Sequence, residues 1–260
     1  MKIALLAVTL CLAAAAQTPG DPPPIIKVIR KPGTDPNAAR PYADARAAVD
    51  VVGMTSVTGL PETWLIEAHY TYASIEDLDK ALSALGDSRT PADSGSQPQE
   101  DLQAAPRTLM AVLRPAWSYR PDQAMRVLPR ARYVHVSIFR IRPGTEGDFG
   151  ELVKLRGLSA DSINLDRPVL AYEVVSGAAA GTYLFLSPLA TLRSMDEGVA
   201  NTPVYAESLV EARAKAGAKA AAAELSREHL LFRVAPRISY VSDAFAAADP
   251  EFWRGKPKEQ

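Results

Sequence analysis

The amino-acid sequence predicts an α+β protein that contains two copies of one βαββαβ unit, and three observations lead to this fold class. Short motifs recur in the same order in the two halves of the 260-residue chain. Stretches that alternate apolar and polar residues, as half-buried strands do, are interleaved with stretches of helical periodicity. The composition, with 47% hydrophobic and 23% charged residues, is that of a folded globular protein.

The recurring motifs set the boundaries of the two copies. Three motifs occur once in each half: Lys31–Thr34 with Arg142–Thr145, Thr63–Ile66 with Thr182–Phe185, and Pro115–Tyr119 with Pro236–Tyr240. Their common order predicts an internal duplication. We therefore expect a first repeat over residues 25–122 and a second repeat over residues 132–245.

The elements of the second repeat follow from its local patterns. They are a strand at Tyr133–Arg142, a helix at Gly144–Leu158, strands at Pro168–Val175 and Thr182–Leu186, an Ala-rich helix from Thr202 to about Arg227, and a last strand at Leu230–Tyr240. The first repeat differs from the second in two elements. Its opening strand, Ile25–Arg30, is short, and the stretch at about 86–106, rich in Ser, Pro, Asp and Gln, predicts a mobile surface insertion.

Each unit predicts a ferredoxin-like fold, a four-stranded antiparallel sheet with helices on one face. The other face of such a sheet would be exposed. A chain with two units can bury both bare faces against each other. We therefore expect two antiparallel sheets packed face to face as an intramolecular α/β barrel, with the helices outside.

These residues resemble the dimeric α/β-barrel (ferredoxin-like) superfamily, and in particular its NIPSNAP-like and antibiotic-biosynthesis-monooxygenase-like members, as a fused tandem repeat. The resemblance lies in Pro-Gly-Thr after the first strand, in an aromatic third strand that leads into a helix, and in Pro-x-x-Ser-Tyr near the last strand. The superfamily also includes EthD-like proteins and haem peroxidases. The resemblance therefore implies a fold and leaves the activity open.

The N-terminus has the pattern of an export signal. Lys2 is followed by the apolar run Ile3–Ala16, which is shorter than a membrane span and ends in small residues. We expect residues 1–16 to be removed, residues 17–24 to form a Pro-rich linker and residues 246–260 to form a polar tail. This predicts a secreted or periplasmic protein without a membrane partner after cleavage. Cys11, the single cysteine, lies inside the signal, where lipid anchoring is the minor alternative.

Several kinds of function lack their usual sequence signatures. The formal net charge of −1 gives no reason to expect nucleic acid as a partner. The three histidines show no metal-ligand spacing, and no glycine-rich phosphate loop or Gly-x-Ser-x-Gly motif occurs. No haem motif surrounds any histidine. We therefore expect no metal and no cofactor.

The candidate site comes from the alternation of two strands. Glu67 and His69 share one face of the third strand, while Tyr133, His135 and Ser137 share one face of the fifth. If the apolar residues between them meet the helices, these five side chains point into the space between the sheets. They could bind a small apolar or aromatic ligand, or transfer a proton with His135, His69 or Glu67 as acid or base. The alternative is that they are hydrogen-bonded polar groups without a function.

Two other histidine and tyrosine motifs receive structural interpretations. His229 is predicted to be a cation at the C-terminus of the Ala-rich helix. The repeated Ser118-Tyr119 and Ser239-Tyr240 are predicted to pack at strand ends, because a site used once would not need two copies.

Three hypotheses for the function follow. The first is a non-catalytic small-molecule-binding or interaction protein, as a monomer or homodimer. The alternative is a cofactor-independent monooxygenase or EthD-like enzyme that acts on a small aromatic or polyketide-like compound inside the barrel. In the third, the second repeat pairs with another chain. An interior filled by apolar side chains would argue against a substrate inside the barrel.

Overall fold

The computed structural model describes residues 20–45, 49–71, 74–77, 106–200 and 207–255. The predicted export signal at 1–16 lies outside the described residues, as does the predicted insertion except for Pro106. Both stay predictions.

The described chain forms the strands β1 (Ile25–Pro32), β2 (Asp50–Ser56), β3 (Glu62–His69), β4 (Arg107–Leu113), β5 (Tyr133–Ile141), β6 (Leu170–Ser176), β7 (Thr182–Leu189) and β8 (Glu224–Val234). The helices are α1 (Arg40–Ala45), α2 (Pro121–Val127), α3 (Glu146–Ser162), α4 (Arg193–Ala200), α5 (Glu207–Ala223), α6 (Asp243–Ala246) and α7 (Pro250–Arg254). Short 3-10 turns occur at Pro115–Trp117, Leu128–Arg130 and Pro236–Ile238.

The eight strands form one closed antiparallel barrel in the order β1-β3-β2-β8-β5-β7-β6-β4. Its two halves, β4-β1-β3-β2 and β8-β5-β7-β6, have the same internal order. The halves join at both edges, because β2 pairs with β8 and β4 pairs with β6. The predicted fold class is therefore confirmed, and closure pairs the edge strands that an open sheet would expose.

The two Pro-x-x-Ser-Tyr motifs make equivalent contacts. Each begins with a 3-10 turn after the last strand of its half, so the predicted strand that continues to Tyr240 is wrong; β8 ends at Val234. Each serine then accepts a backbone hydrogen bond from the other half, namely Ser118 Oγ from Ala171 N at 3.0 Å and Ser239 Oγ from Gly53 N at 2.9 Å. Tyr119 and Tyr240 form isolated bridges with Val169 and Val51. The motifs thus tie each half to the other, whereas the role predicted for them was packing at strand ends.

In the pair Thr63–Ile66 and Thr182–Phe185, the residues matched by sequence lie on opposite faces of their strands. Trp64 is fully buried in the interior of the barrel, whereas Tyr183 packs with Phe139 and Phe149 outside it. The correspondence of Thr63–Ile66 with Thr182–Phe185 is therefore out of step by one residue, which exchanges the two faces of a strand. The equal strand order of the halves supports a duplication, which stays a proposal.

Apolar side chains fill the barrel interior. Each strand contributes apolar residues to it, for example Val134 and Val136 of β5 and Leu184 and Leu186 of β7. A cavity of about 40 Å³ beside Tyr70 is large enough for a water molecule or two. The interior therefore has no room there for an aromatic substrate.

The C-terminal segment packs against the barrel, and its prediction as a polar tail is wrong for the described residues. Phe245 and Trp253 belong to the same apolar cluster as the barrel interior, and Trp253 Nε1 donates a hydrogen bond to Pro129 O at 2.6 Å. Ser242 and Asp249 cap the helices α6 and α7, each accepting a backbone N–H. Among the described helices, none has the length and apolar character needed to cross a membrane.

Candidate functional site

The polar side chains of β3 and β5 point away from the barrel interior, opposite to the predicted direction. His135 and Ser137 line a cavity outside the barrel with residues of α3, while Val134 and Val136 face inward. Glu67 contacts Tyr42 of α1, while Trp64 faces inward. The physical reason is that eight strands share one water-free interior, so the most apolar set of each strand belongs there. The outer face lies beneath the helices, where space remains for polar groups such as His135 and Ser137.

The five predicted residues fall into three places. His135 and Ser137 lie together on β5, and Glu67 and His69 lie together on β3, but β2 and β8 separate these two strands in the barrel. Tyr133 lies beside Arg233, whose guanidinium carbon is 5.7 Å from the centre of the phenol ring. No single site therefore contains them all.

The outer cavity has a volume of about 310 Å³ and lies between α3 and the outer face of β5, β7 and β8. Its walls are largely aromatic, from Trp117, Tyr119, Phe139 and Phe185. Gly157 of α3 also lines it, so the helix contributes no side chain at this point. This volume is at the lower end of the range of small-molecule sites.

Polar groups converge on the floor of the outer cavity. Ser137 Oγ and His229 Nδ1 are 2.9 Å apart, within hydrogen-bond distance. The rings of His135 and His229 are nearly parallel, with centroids 5.6 Å apart. Ser187 also lines the cavity, and its hydroxyl donates to Pro168 O at 2.8 Å.

The electrostatic environment of the outer cavity is positive. Burial, followed by the charges of Arg167 and His229, lowers the pKa of His135 to about 4. Burial also lowers the pKa of His229, and the charges of Arg227, Arg156 and Arg167 act in the same direction. Both imidazoles are therefore mainly neutral near pH 7. Arg156 and Arg167 line the same cavity, and no carboxylate is among its described lining residues.

A second polar cluster lies on the outer face of β1 and β3. Lys27 Nζ is 2.9 Å and His69 Nε2 is 3.3 Å from the carboxylate of Glu67, and the Tyr42 hydroxyl donates to the same group. Burial alone would raise the pKa of Glu67, but the hydrogen bond from His69, the charge of Lys27 and the bond from Tyr42 lower it to about 2. Glu67 as a residue is 3% exposed, and all three partners contact its carboxylate.

Sequence reasoning missed several residues of the outer cavity. His229 was predicted to end a helix, but it lies within β8, because α5 stops at Ala223 rather than near Arg227. Arg167 lies in the irregular connection between α3 and β6, where no periodicity assigns a direction. Arg156 and Trp117 become part of the cavity only through the packing of α3 on the sheet. For His229, the alternate positions of Arg227, His229 and Leu231 are the feature of the sequence that could have indicated a strand.

Within the described part of the chain, no three His, Cys, Asp or Glu side chains are grouped so that they could hold a metal ion.

Comparisons with known proteins give distant structural likenesses. No protein-family model and no curated protein sequence matches this chain. An anthrone oxidase-like protein is 13% identical, with a TM-score of 0.48 over 84% of this chain and 94% of that chain. A proposed monooxygenase from Lactobacillus acidophilus is 10% identical, with a TM-score of 0.43 over 84% of this chain and 99% of that chain. A mutant chlorite dismutase from Candidatus Nitrospira defluvii is 9% identical, with a TM-score of 0.43 over 86% of this chain and 94% of that chain. The function must therefore be argued from the cavity itself.

Proposed function

We propose that this protein is an exported small-molecule-binding protein whose site is the outer cavity between α3 and the outer face of β5, β7 and β8. The observation that carries the proposal is an aromatic-walled space of about 310 Å³ into which a few polar groups converge. Binding sites for small molecules combine these two properties, because apolar walls supply affinity and a few polar groups fix orientation. The sequence predicted a ligand site inside the barrel. Because apolar side chains fill that interior, we place the ligand site in the outer cavity instead.

The size and lining of the outer cavity favour a flat aromatic ligand. Trp117 lies on one side, and its ring is 4.7 Å from that of Tyr183 and 5.5 Å from that of Phe149. Such a packed indole is held in one orientation, which gives a ligand a preformed surface on which to stack. The cavity is part of the described chain alone and needs no second copy.

The test uses a pair of glycines on α3. Gly157 lines the outer cavity, whereas a Cβ added at Gly147 would have no atom within 4 Å. Gly157→Met should fill the space and abolish binding of naphthalene-based probes such as 2-naphthamide and 2-naphthoate. Gly147→Met should bind them like the parent protein. Calorimetry measures the affinity, and Trp117 fluorescence reports binding at the site.

Equal probe affinity in the two methionine variants would refute this location of the site. A folded Gly157→Met protein, checked by circular dichroism, is required for the comparison. Export is tested separately by the intact mass of protein recovered from the periplasm or the medium. A mass that retains residues 1–16 would contradict it.

One observation favours a second candidate function, a cofactor-independent oxygenase-type enzyme. The neutral imidazoles of His135 and His229 face one aromatic cavity and could accept a proton from a bound phenol or enol. Consumption of dioxygen in the presence of a bound phenolic compound, lost in His135→Ala and His229→Ala, would favour the enzyme. A dioxygen concentration that stays constant while the phenolic compound is bound would favour the binding protein.

A further inference from the structure

The outer cavity contains more positive charge than an apolar ligand needs. Arg156 and Arg167 both line it, and its described lining includes no carboxylate. Two acidic side chains beside the cavity already have cationic partners: Asp161 bonds to Tyr119 and Arg120, and Glu224 pairs with Arg227 at 2.5 Å. The described lining of the cavity thus supplies two guanidinium groups and no carboxylate.

Arg167 is the more informative of the two arginines. Burial lowers its pKa, which shows that the surrounding atoms disfavour its charge. Among the described residues, no carboxylate forms an ion pair with Arg167. A guanidinium that is removed from water without an anion costs free energy. A ligand that carries a negative charge could pair with Arg167 and reduce that cost. The arrangement therefore favours an anionic ligand over a neutral or cationic one.

The remaining polar groups are compatible with an anion. His135 and His229 are neutral near pH 7, so each can donate one N–H and neither repels negative charge. Arg167 presents a planar set of donors that fits the two oxygens of a carboxylate. A cationic ligand would meet two guanidinium groups, which disfavours it.

From this charge distribution we infer that the ligand of the outer cavity is an aromatic carboxylate, with its ring against Trp117 and its carboxylate at Arg167. The inference rests on the proposed binding function and adds the charge of the ligand to it. Arg156 lies on α3 at the same cavity and adds to the positive potential without defining the position of the carboxylate.

The experiment compares three probes of one shape by titration calorimetry: 2-naphthoate, 2-naphthamide and 2-naphthylmethylamine. The carboxylate should bind about tenfold to a hundredfold more tightly than the amide, the usual effect of a hydrogen-bonded charge pair, and the amine should bind most weakly. Arg167→Gln should remove most of the preference for the carboxylate and leave the affinity for the amide within about threefold of the parent value. Arg140→Gln, an exposed arginine on β5 outside the cavity, should keep the full preference.

The outcomes separate this inference from the proposed function. If no probe binds, the binding function fails, and the inference fails with it. If the amide binds as tightly as the carboxylate, the cavity is a binding site but its preference for anions is refuted. The same holds if Arg167→Gln weakens both probes equally.

A measurement on the parent protein covers the case in which Arg167→Gln does not fold. Bound 2-naphthoate should raise the pKa of His135 in an NMR titration, because a nearby negative charge favours the imidazolium. The charged groups that act on this histidine, Arg167 and His229, are the same with either probe, so the pKa of His135 should be higher with bound 2-naphthoate than with bound 2-naphthamide. An unchanged pKa with bound 2-naphthoate would overturn the inference.

Discussion

Replacing Gly150 of α3 with alanine tests how the wall of the outer cavity is built. A Cβ added at Gly150 would lie 2.8 Å from Trp117 Nε1, closer than unbonded heavy atoms approach. The indole cannot retreat freely, because Tyr183 and Phe149 pack against it. We therefore expect Gly150→Ala to displace Trp117 or to move α3 away from the sheet.

The size of the effect follows from two opposing contributions. Overpacking of this kind costs about 1–3 kcal/mol, whereas alanine in place of glycine inside a helix gains about 1 kcal/mol. Gly157→Ala is the matched control, because its Cβ would make an ordinary contact of 3.5 Å with Tyr119 Cδ2. The control keeps the gain without the clash. The two variants should therefore differ by about 1–3 kcal/mol in unfolding free energy, or roughly 2–12 °C in Tm for a protein of this size.

Thermal unfolding followed by near-ultraviolet circular dichroism measures the difference in stability. Tryptophan fluorescence reports whether Trp117 has moved, and the affinity for 2-naphthamide should fall in Gly150→Ala because the stacking surface is displaced. If Gly150→Ala melts at the temperature of Gly157→Ala, with unchanged fluorescence, then Trp117 does not pack against α3 as described and the cavity wall is wrong.

Three further predictions concern hydrogen bonds and ionisation. Ser118→Ala and Ser239→Ala should each destabilise the protein by about 1–3 kcal/mol in urea unfolding, since each strands a backbone N–H that bridges the halves; a loss in only one variant would contradict their equivalent roles. Glu67 has a pKa of about 2 in the folded protein against 4.5 ordinarily, so the stability it contributes is present at neutral pH and is lost as the pH falls from about 4.5 towards 2. Glu67→Gln should flatten that dependence, and an equally steep loss in the variant would refute it. His135 has a lowered pKa of about 4 against 6.5, so stability should decline as the pH falls from 6.5 to 4, and an NMR titration midpoint near 6.5 would contradict the burial of its ring.

The fold was predictable because two kinds of pattern agreed. Strand alternation identified β5 within one residue, and the recurrence of Pro-x-x-Ser-Tyr indicated two halves with equivalent ends. The structure shows why that motif recurs: each copy makes a 3-10 turn whose serine bonds to the opposite half. The closed barrel then follows from pairing the free edges of two equal sheets.

Which of the two faces of each strand points into the barrel was not predictable in the same way. A period of two sorts residues into sets but does not say which set faces inward. In β3 the inward set contains Trp64 and Ile66, and the outward set contains Leu65 and Glu67, so both sets include apolar residues. Assigning the apolar set to the helices reversed the site, because the shared interior of a barrel is drier than the space beneath a helix.

Apart from the alternation around His229, the site residues that were missed lack a local signature. The boundary between α5 and β8 falls after a run of alanines, where the helix could continue equally well by propensity. Because of this, His229 was assigned to a helix end although it lies on a strand beside Ser137. Arg167 is positioned by the path of the chain from α3 to β6. Its place in the cavity depends on tertiary packing, and no periodic pattern in the sequence predicts that packing.

The filled interior explains why the candidate site is in only one half of the described structure. Both sheets turn their most apolar faces inward, so a ligand must bind on an outer face beneath a helix. On the first sheet, the central pair of Lys27 and Glu67 is closed by the Tyr42 hydroxyl from α1. In the second half, the pair of His135 and Ser187 lies in the outer cavity beneath α3, and Gly157 of that helix lines the cavity without a side chain. The Tyr42 hydroxyl in α1 and the missing side chain at Gly157 in α3 thus contribute to a closed ionic cluster in one half and an open cavity in the other.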